Sequence, residues 1–357
     1  MSRKMHFRNA AHYLVCRTAG LAIALLATFA SAPSMAQRES QMRQALGQEL
    51  REVAFDNVQL GPRARCAPWL RAWDIDIGCR RFDVVYRGVY LSGLLLEHVG
   101  RTEQLTIYHL GHEAPNISVA DLQEIGNEVL GTPDAAGFVK ALFNQPSDVL
   151  ILYMPGTGFE PLAEAETIQR THLALGNHST FSMLDRPGDS AAAYFVAHVK
   201  AFLNRYASSY RSVVMVGRSG GGWATTLAAA AETRIRCSIS FFGTLPLRLR
   251  LPAPDDRQND LGDFEQHGLY LYKRLDYTDL YALATSGNRT HVQVYNERDN
   301  CCFSGHVKGA AVMRYVLGQY PALKNFHTEI LPVRSEFDHF NLDAPAIAQV
   351  NKHCPVR

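Results

Sequence analysis

The sequence has almost no net charge, no clustering of basic residues and no spacing typical of a metal site. Its 36 lysines and arginines nearly balance 34 aspartates and glutamates, so the formal charge at pH 7 is +2. So small a charge, without arginines interleaved with aromatic residues, indicates neither nucleic acid nor another polyanion as a partner. Because the sequence contains no C-x-x-C or H-x-x-x-H pair, neither a metal ion nor another cofactor is predicted.

A long hydrophobic run is missing as well. The apolar stretch over residues 19–30 is shorter than an ordinary membrane-spanning helix. Basic residues precede this stretch, and the small residues of Ser34-Met35-Ala36 follow it. This arrangement is typical of a secretory signal peptide over residues 1–36. We therefore expect a mature protein that begins at Gln37, lies in the periplasm or outside the cell, and is not inserted in the membrane. An uncleaved anchor is the alternative.

The cysteine content agrees with an exported protein. Of the 7 cysteines, Cys16 falls in the predicted signal peptide. The others are Cys66, Cys79, Cys237, Cys301, Cys302 and Cys354. An even number in an exported chain indicates disulfides. Cys66 and Cys79 could close a small loop. Cys301 and Cys302 are adjacent and pair with each other only under strain, so one of them is expected to reach Cys237 or Cys354.

Short apolar runs alternate with helix-favouring segments along most of the chain, and no internal repeat interrupts them. Strands are predicted over residues 104–109, 148–154, 212–216, 235–242, 291–295 and 326–333. Helices are predicted over residues 118–130, 135–144, 190–206, 223–231, 306–319 and 344–352. This alternation predicts an α/β protein with a mainly parallel sheet and helices on both faces. Two further runs, separated by Arg87-Gly88, are expected to form an antiparallel pair at one sheet edge.

One glycine-rich turn stands directly between a predicted strand and a predicted helix. It reads Gly217-Arg218-Ser219-Gly220-Gly221, which matches G-x-S-x-G in the context of a nucleophile elbow. Glycines are needed there because the strand and helix backbones nearly touch. At the start of the helix, free N–H groups favour developing negative charge. The pattern indicates that Ser219 is a nucleophile; a turn that cradles a phosphate is the alternative.

A serine nucleophile needs a base and a group that orients the base. Loops at the carboxyl ends of parallel strands meet at one edge of the sheet, where ligands bind. Asp299 follows the predicted strand at 291–295, and His339 follows the one at 326–333. The order Ser219, Asp299, His339 is therefore nucleophile, acid, base. Glu297 and Asp338 remain alternatives for the acid.

With this elbow and this order of residues, the chain resembles the α/β-hydrolase superfamily. The resemblance implies a hydrolase core over residues 101–244 and 289–357, a cap inserted at 245–288, and an N-terminal extension with edge strands at 37–100. It also implies that His339 takes the serine proton and returns it to the leaving group, while Asp299 holds the imidazole.

An oxyanion hole requires two preorganised N–H donors. Gly220, directly after the nucleophile, is expected to provide one of them. The other is expected from the loop after the strand at 104–109, which resembles the superfamily's His-Gly loop with Leu110 inserted. Its donor is Gly111 or His112. The competing loop is Pro155-Gly156-Thr157-Gly158.

These observations together predict an exported serine hydrolase that cleaves a small-molecule carboxylic ester through an acyl-enzyme. A peptidase or amidase of the same fold is one alternative, and a catalytically silent binding protein is another.

Two residues near the elbow have other expected roles. Arg218 either recognises an acidic substrate group or pairs with a nearby carboxylate, and the pairing is favoured. Trp223 is expected to pack against the sheet. The sequence does not indicate the oligomeric state.

Overall fold

The computed structural model describes a large part of the chain. The described residues are 33–51, 55–65, 77–100, 102–111, 116–118, 133–155, 158–160, 178–250, 262–297, 299, 303, 308–332, 342 and 344–355. The chain divides after Gln41, and the second unit begins at Met42. The described part of the first unit, residues 33–41, contains the start of one helix. The sheet and the candidate site described below belong to the second unit. No helix in the described ranges is long and apolar enough to cross a membrane.

Strands and helices alternate along the described chain. The strands are β1 (Asp56–Leu60), β2 (Ala64–Arg65), β3 (Ile77–Tyr86), β4 (Val89–His98), β5 (Gln104–His109), β6 (Asn116–Ser118), β7 (Ser147–Leu152), β8 (Gly158–Glu160), β9 (Ser212–Arg218), β10 (Ile235–Phe241), β11 (Thr290–Asn296) and β12 (Phe326–Leu331). The helices are α1 (Met35–Glu49), α2 (Pro133–Phe143), α3 (Ala192–Tyr206), α4 (Gly220–Ala231), α5 (Phe264–His267), α6 (Tyr277–Thr285), α7 (Lys308–Gln319) and α8 (Ala344–His353). Short 3-10 turns occupy His178–Met183, Ala207–Ser209, Leu247–Leu249 and Tyr270–Lys273.

The main sheet is parallel over six strands and antiparallel at one side. Its order is β1-β3-β4-β7-β5-β9-β10-β11-β12, and β2 also pairs with β3. Strands from β7 to β12 in this order are parallel neighbours, whereas β1 to β4 pair antiparallel. The prediction of a mainly parallel sheet is confirmed. The predicted antiparallel hairpin is present as β3 and β4. Its expected place at the sheet edge was wrong, because β1 and β2 both pair with its outer strand, β3.

The turn between β3 and β4 explains why the hairpin closes at Arg87-Gly88. Both residues have positive φ, 51° and 77°. Two consecutive residues with positive φ are what a two-residue hairpin loop requires to match the twist of its strands. The hairpin thereby joins the antiparallel side to the parallel part, because β4 also pairs with β7.

Apolar residues cover both faces of the sheet. Val213 and Met215 of β9 belong to one buried cluster, and Val214 and Val216 belong to another, as the alternation of side chains along a strand requires. Helices α3, α4 and α6 contribute to the first cluster. Helices α2 and α8 contribute to the second. The sheet is therefore an internal layer, as expected for parallel strands.

The segment predicted as a cap, residues 245–288, includes part of this core. Helix α6 begins with a capping box in which Asp276 and Asp279 bond each other's backbone N–H groups. Its residues from Tyr277 to Thr285 are almost all buried, and it packs against α4 and β11. The end of this segment therefore covers the sheet. Residues 251–261 lie outside the described residues, so the extent of the cap stays a prediction.

The disulfide pattern differs from the expected one. Cys237 of β10 is bonded to Cys354, directly after α8. The prediction that Cys301 or Cys302 reaches one of these two was wrong, because each already has its partner. Cys79 is also disulfide-bonded, while Cys66, Cys301 and Cys302 lie outside the described residues.

Two small strands occupy a region that sequence analysis assigned otherwise. Strands β6 and β8 form a separate parallel pair, with Asn116 opposite Gly158. Ser118, expected to cap a helix over residues 118–130, is the last residue of β6. Residues 119–132 of that predicted helix lie outside the described residues.

Candidate active site

Ser219 lies between the end of β9 and the start of α4, with φ 55° and ψ −127°. A residue with a β-carbon rarely adopts a positive φ, and such conformations persist only where their surroundings fix them. Here the Ser219 N–H donates to Phe241 O at 2.8 Å, and Ser219 O accepts from the Trp223 N–H at 3.0 Å. Neighbouring strand β10 and the first turn of α4 thus hold the strained residue.

Two glycines allow the backbones to approach each other at this turn. A β-carbon on Gly217 would lie 2.1 Å from Gly221 O, and one on Gly221 would lie 2.1 Å from His109 O. Both contacts are with backbone atoms, which cannot move aside as the end of a side chain can. The sequence G-x-S-x-G therefore fits a point where β5, β9 and α4 are in direct contact.

The side chains that flank Ser219 are packed in the interior. Arg218 and Trp223 are both fully buried. The indole N–H of Trp223 donates to the hydroxyl of Tyr272 at 2.6 Å, and its ring meets that of Phe195 edge-on at 4.8 Å. Trp223 is thus a packing residue. The complete burial of Arg218 favours a structural role.

The loop after β5 lies against this elbow. A β-carbon on Gly111 would be 3.0 Å from Arg218 O, 3.1 Å from Ser219 Cβ and 3.6 Å from Gly220 N. The structure therefore brings Gly111, Ser219 and Gly220 together. His112 lies outside the described residues, as do Gly156 and Thr157 of the competing loop.

The loop after β11 holds the predicted acid. Asp299 is 2% exposed, whereas Glu297 is half-buried and its N–H donates to Leu331 O at 2.8 Å. Strand β11 is separated from β9 only by β10, so the two loops leave the same edge of the sheet. Asp338 and His339 lie outside the described residues, so the complete triad stays a prediction.

A second serine–histidine pair, which sequence analysis missed, lies within the sheet. Ser238 of β10 and His291 of β11 are opposite each other, and Oγ is 2.7 Å from Nδ1. The amide of Gln293 donates to His291 Nε2 at 2.8 Å, so Nδ1 carries the proton and donates to Ser238. Burial lowers the pKa of His291 to about 3. This imidazole cannot accept the proton of the serine, so the pair is structural.

Two further buried histidines lie at and beside the end of β5, next to the loop that carries Gly111. His109, the last residue of β5, has its Nδ1 2.8 Å from Leu110 O. Its ring meets that of His198 of α3 edge-on, with centroids 5.0 Å apart, and both residues are fully buried. Burial and the neighbouring His109 lower the pKa of His198 well below its ordinary value. The sequence signal for His109 is its place before the Leu110-Gly111 loop, whereas nothing local marks His198.

A cavity of about 540 Å³ lies at the opposite edge of the sheet. Asp148 at the start of β7 and Tyr210 just before β9 contribute to its lining, so it opens at the amino ends of the strands. The Tyr210 hydroxyl donates to Asp148 at 2.9 Å, and Arg80 lies 3.6 Å from Glu97. These groups pair with one another, far from Ser219. Within the described ranges no cluster of His, Cys, Asp and Glu could hold a metal ion.

A mainly parallel sheet covered by helices on both faces, with a serine elbow after β9, defines an α/β-hydrolase fold. No family model matches the sequence, and no curated protein matches it. Several solved structures, however, are similar to this chain. A promiscuous CE15 esterase from a marine bacterial metagenome is 12% identical, with 89% of this chain and 90% of that chain covered and a TM-score of 0.56.

Two other solved structures give similar values. A glucuronoyl esterase from Solibacter usitatus is 13% identical, with 89% of this chain and 91% of that one covered and a TM-score of 0.52. The methylesterase BT1017 is 14% identical, with 93% of this chain covered and a TM-score of 0.51. This chain spans 66% of that protein, just under two thirds of its length. At such identities the similarity establishes the α/β-hydrolase fold.

Proposed function

We propose that the protein is a serine hydrolase that cleaves carboxylic esters through an acyl-enzyme, with Ser219 as nucleophile, Asp299 as acid and His339 as base. The backbone of Ser219 carries this proposal. Its positive φ of 55°, at a junction where neighbouring glycines tolerate no β-carbon, is a strained conformation typical of a functional site. The serine also precedes the N-terminus of a helix, which favours negative charge.

The reaction follows from these roles. His339 takes the Ser219 proton as Oγ attacks the ester carbonyl carbon, and the N–H groups of Gly220 and Gly111 stabilise the resulting oxyanion. His112 is the alternative second donor. When the C–O bond breaks, His339 returns the proton to the departing alcohol. Water then hydrolyses the acyl-enzyme by the same steps, which releases the acid and restores Ser219.

Two observations support an ester substrate and the choice of Asp299. Solved structures with a similar fold include a CE15 esterase, a glucuronoyl esterase and a methylesterase. Asp299 is 2% exposed, and a shielded carboxylate is suited to orient an imidazole and stabilise its charged form. Glu297 is more exposed.

Reaction with a fluorophosphonate probe tests the nucleophile. We expect the protein to be labelled and Ser219→Ala to be inert, because the probe reacts only with an activated serine. Ser238→Ala is the matched control: it removes a serine that is also hydrogen-bonded to a histidine and should be labelled like the wild type. Labelling that survives in Ser219→Ala, or no labelling of the wild type, would contradict the proposal. The latter result would favour a silent binding protein.

Kinetics on p-nitrophenyl esters and peptide anilides test the substrate class and the acid. Turnover of the esters alone supports an esterase, whereas faster turnover of anilides indicates a peptidase or amidase. Asp299→Asn should lower kcat about 10⁴-fold, as loss of the orienting carboxylate does in serine hydrolases. Glu297→Gln should leave kcat nearly unchanged. The reverse result would assign the acid to Glu297, and no effect of either variant would point to Asp338.

We also propose that residues 1–36 are a signal peptide and that the mature protein works in the periplasm or outside the cell. The Cys237–Cys354 disulfide supports this, because such bonds persist in oxidising compartments. N-terminal sequencing of the protein from the periplasm or medium should read from Gln37. A chain that starts at Met1 and stays in the cytoplasm would contradict the proposal.

A further inference from the structure

We propose that His109 is a positioning residue that sets the direction of the Gly111 N–H, the second oxyanion donor, and that His198 holds the His109 ring in place. The proposal rests on the proposed function, because it assigns His109 a role in that same site. No substrate contact by either histidine is required.

The first step concerns the peptide between Leu110 and Gly111. Nδ1 of His109 lies 2.8 Å from Leu110 O. A carbonyl oxygen only accepts hydrogen bonds, so Nδ1 must carry the proton and donate. The described chain has no cis peptide bond, and in a planar trans peptide the C=O and the following N–H point in opposite directions. A bond that fixes Leu110 O therefore also fixes the Gly111 N–H.

The second step concerns the surroundings of this oxygen. A β-carbon on Gly221 would lie 2.5 Å from Leu110 O and 2.1 Å from His109 O, so both carbonyls are packed against the first turn of α4. The Gly111 N–H consequently points away from Gly221. Leu110 N–H still donates to Leu152 O at 2.9 Å, but beyond it the chain leaves the sheet. The backbone hydrogen bonds to the sheet end at Leu110. From there the His109 side chain fixes the first peptide of the loop, between Leu110 and Gly111.

The third step concerns His198. Its ring lies edge-on to that of His109, with an interplanar angle of 76°, and both rings are fully buried. Because protein interiors are densely packed, a neighbouring ring in this position restricts the orientations open to the His109 ring. His198 reaches this place from α3, which connects the packing of that helix to the loop beside Ser219.

Paired substitutions separate positioning from packing. His109→Asn keeps an N–H donor close to the place of Nδ1, whereas His109→Leu has a similar size without a donor. We expect His109→Leu to lower kcat for a p-nitrophenyl ester about 10²-fold with little change in KM, the size of effect that follows loss of an oxyanion donor. His109→Asn should restore most of this loss. Fluorophosphonate labelling rates should follow the same order, and thermal unfolding shows that each variant is folded.

A substitute variant and two contradicting outcomes keep this test decisive. If His109→Leu does not fold, His109→Met provides the same comparison. Wild-type kcat in a folded variant without the donor would overturn the positioning role, and so would equally low kcat in His109→Asn and His109→Leu. The proposed function fails separately: it does so if Ser219→Ala still reacts with the probe, whatever the His109 variants do.

Discussion

Among the described residues three histidines are fully buried, and their hydrogen bonds decide what each imidazole can do. A catalytic imidazole must accept the proton of its serine. His291 does the opposite, since Gln293 occupies its Nε2 and its Nδ1 donates to Ser238. The orientation of Gln293 is itself fixed, because the Thr244 hydroxyl donates to its Oε1 at 2.7 Å. A short serine–histidine distance is therefore insufficient evidence for a nucleophile.

The buried His291 should make stability depend on pH. Burial lowers its folded-state pKa to about 3, against an ordinary value of about 6.5 in the unfolded chain. Below pH 6.5 the unfolded state binds the proton first, so stability is lost as the pH falls towards 3. For this one group the loss between pH 7 and pH 5 should be about 2 kcal/mol.

Denaturant unfolding of wild type and His291→Gln at pH 7 and pH 5 measures this effect. The variant has no group that titrates at this position, so its free energy of unfolding should fall by about 2 kcal/mol less over the interval. Equal changes in the two proteins would show that His291 does not contribute. Comparison of each protein with itself at two pH values removes any constant cost of the substitution.

At the scale of the element, the contact between β5, β9 and α4 depends on residues without side chains. We expect Gly221→Ala to lower the free energy of unfolding by about 3 kcal/mol or more, as severe overpacking does, and to abolish ester hydrolysis. The new β-carbon would lie 2.1 Å from His109 O, and neither backbone can withdraw without moving Ser219.

Gly137→Ala is the matched control for this substitution. Gly137 lies within α2, and a β-carbon there would meet nothing within 4 Å. In open space the change removes the entropic cost of glycine in a helix, so it should stabilise the protein by about 0.5 to 1 kcal/mol. Urea unfolding and ester hydrolysis measure both variants. A Gly221→Ala protein that is as stable and active as Gly137→Ala would contradict the close contact.

The elements that sequence analysis predicted well are those whose pattern is local. Strands β7 and β9 each contain a run of four buried apolar residues, 149–152 and 213–216. The elbow is contained within five successive residues. Strand β2, only two residues long, carries no such pattern. The pairing of Cys237 with Cys354 and the contact of His109 with His198 are also invisible locally, because each joins residues that only the folded sheet brings together. The elbow was therefore predictable, whereas its supporting contacts were not.

At the scale of the whole molecule, the Cys237–Cys354 bond joins the sheet to the end of the chain. Cys237 lies near the start of β10, and Cys354 directly follows α8. The start of β10 belongs to the edge of the sheet opposite Ser219, which follows the end of β9. The bond should therefore contribute to stability without taking part in the proposed reaction.

Replacement of both cysteines tests this separation. The bond closes a loop with a sequence separation of 117 residues. A disulfide that closes a loop of this length raises the free energy of unfolding by about 5 kcal/mol in the chain-entropy treatment. Removal of a native disulfide costs about 2 to 5 kcal/mol in practice. We expect the Cys237→Ala/Cys354→Ala protein to lose free energy of unfolding within that range and to keep its kcat at 25 °C. An unchanged free energy of unfolding would show that the bond does not constrain the unfolded chain. A lower kcat in the folded double variant would mean that the attachment of α8 to β10 also affects the geometry at the edge of the sheet where Ser219 lies.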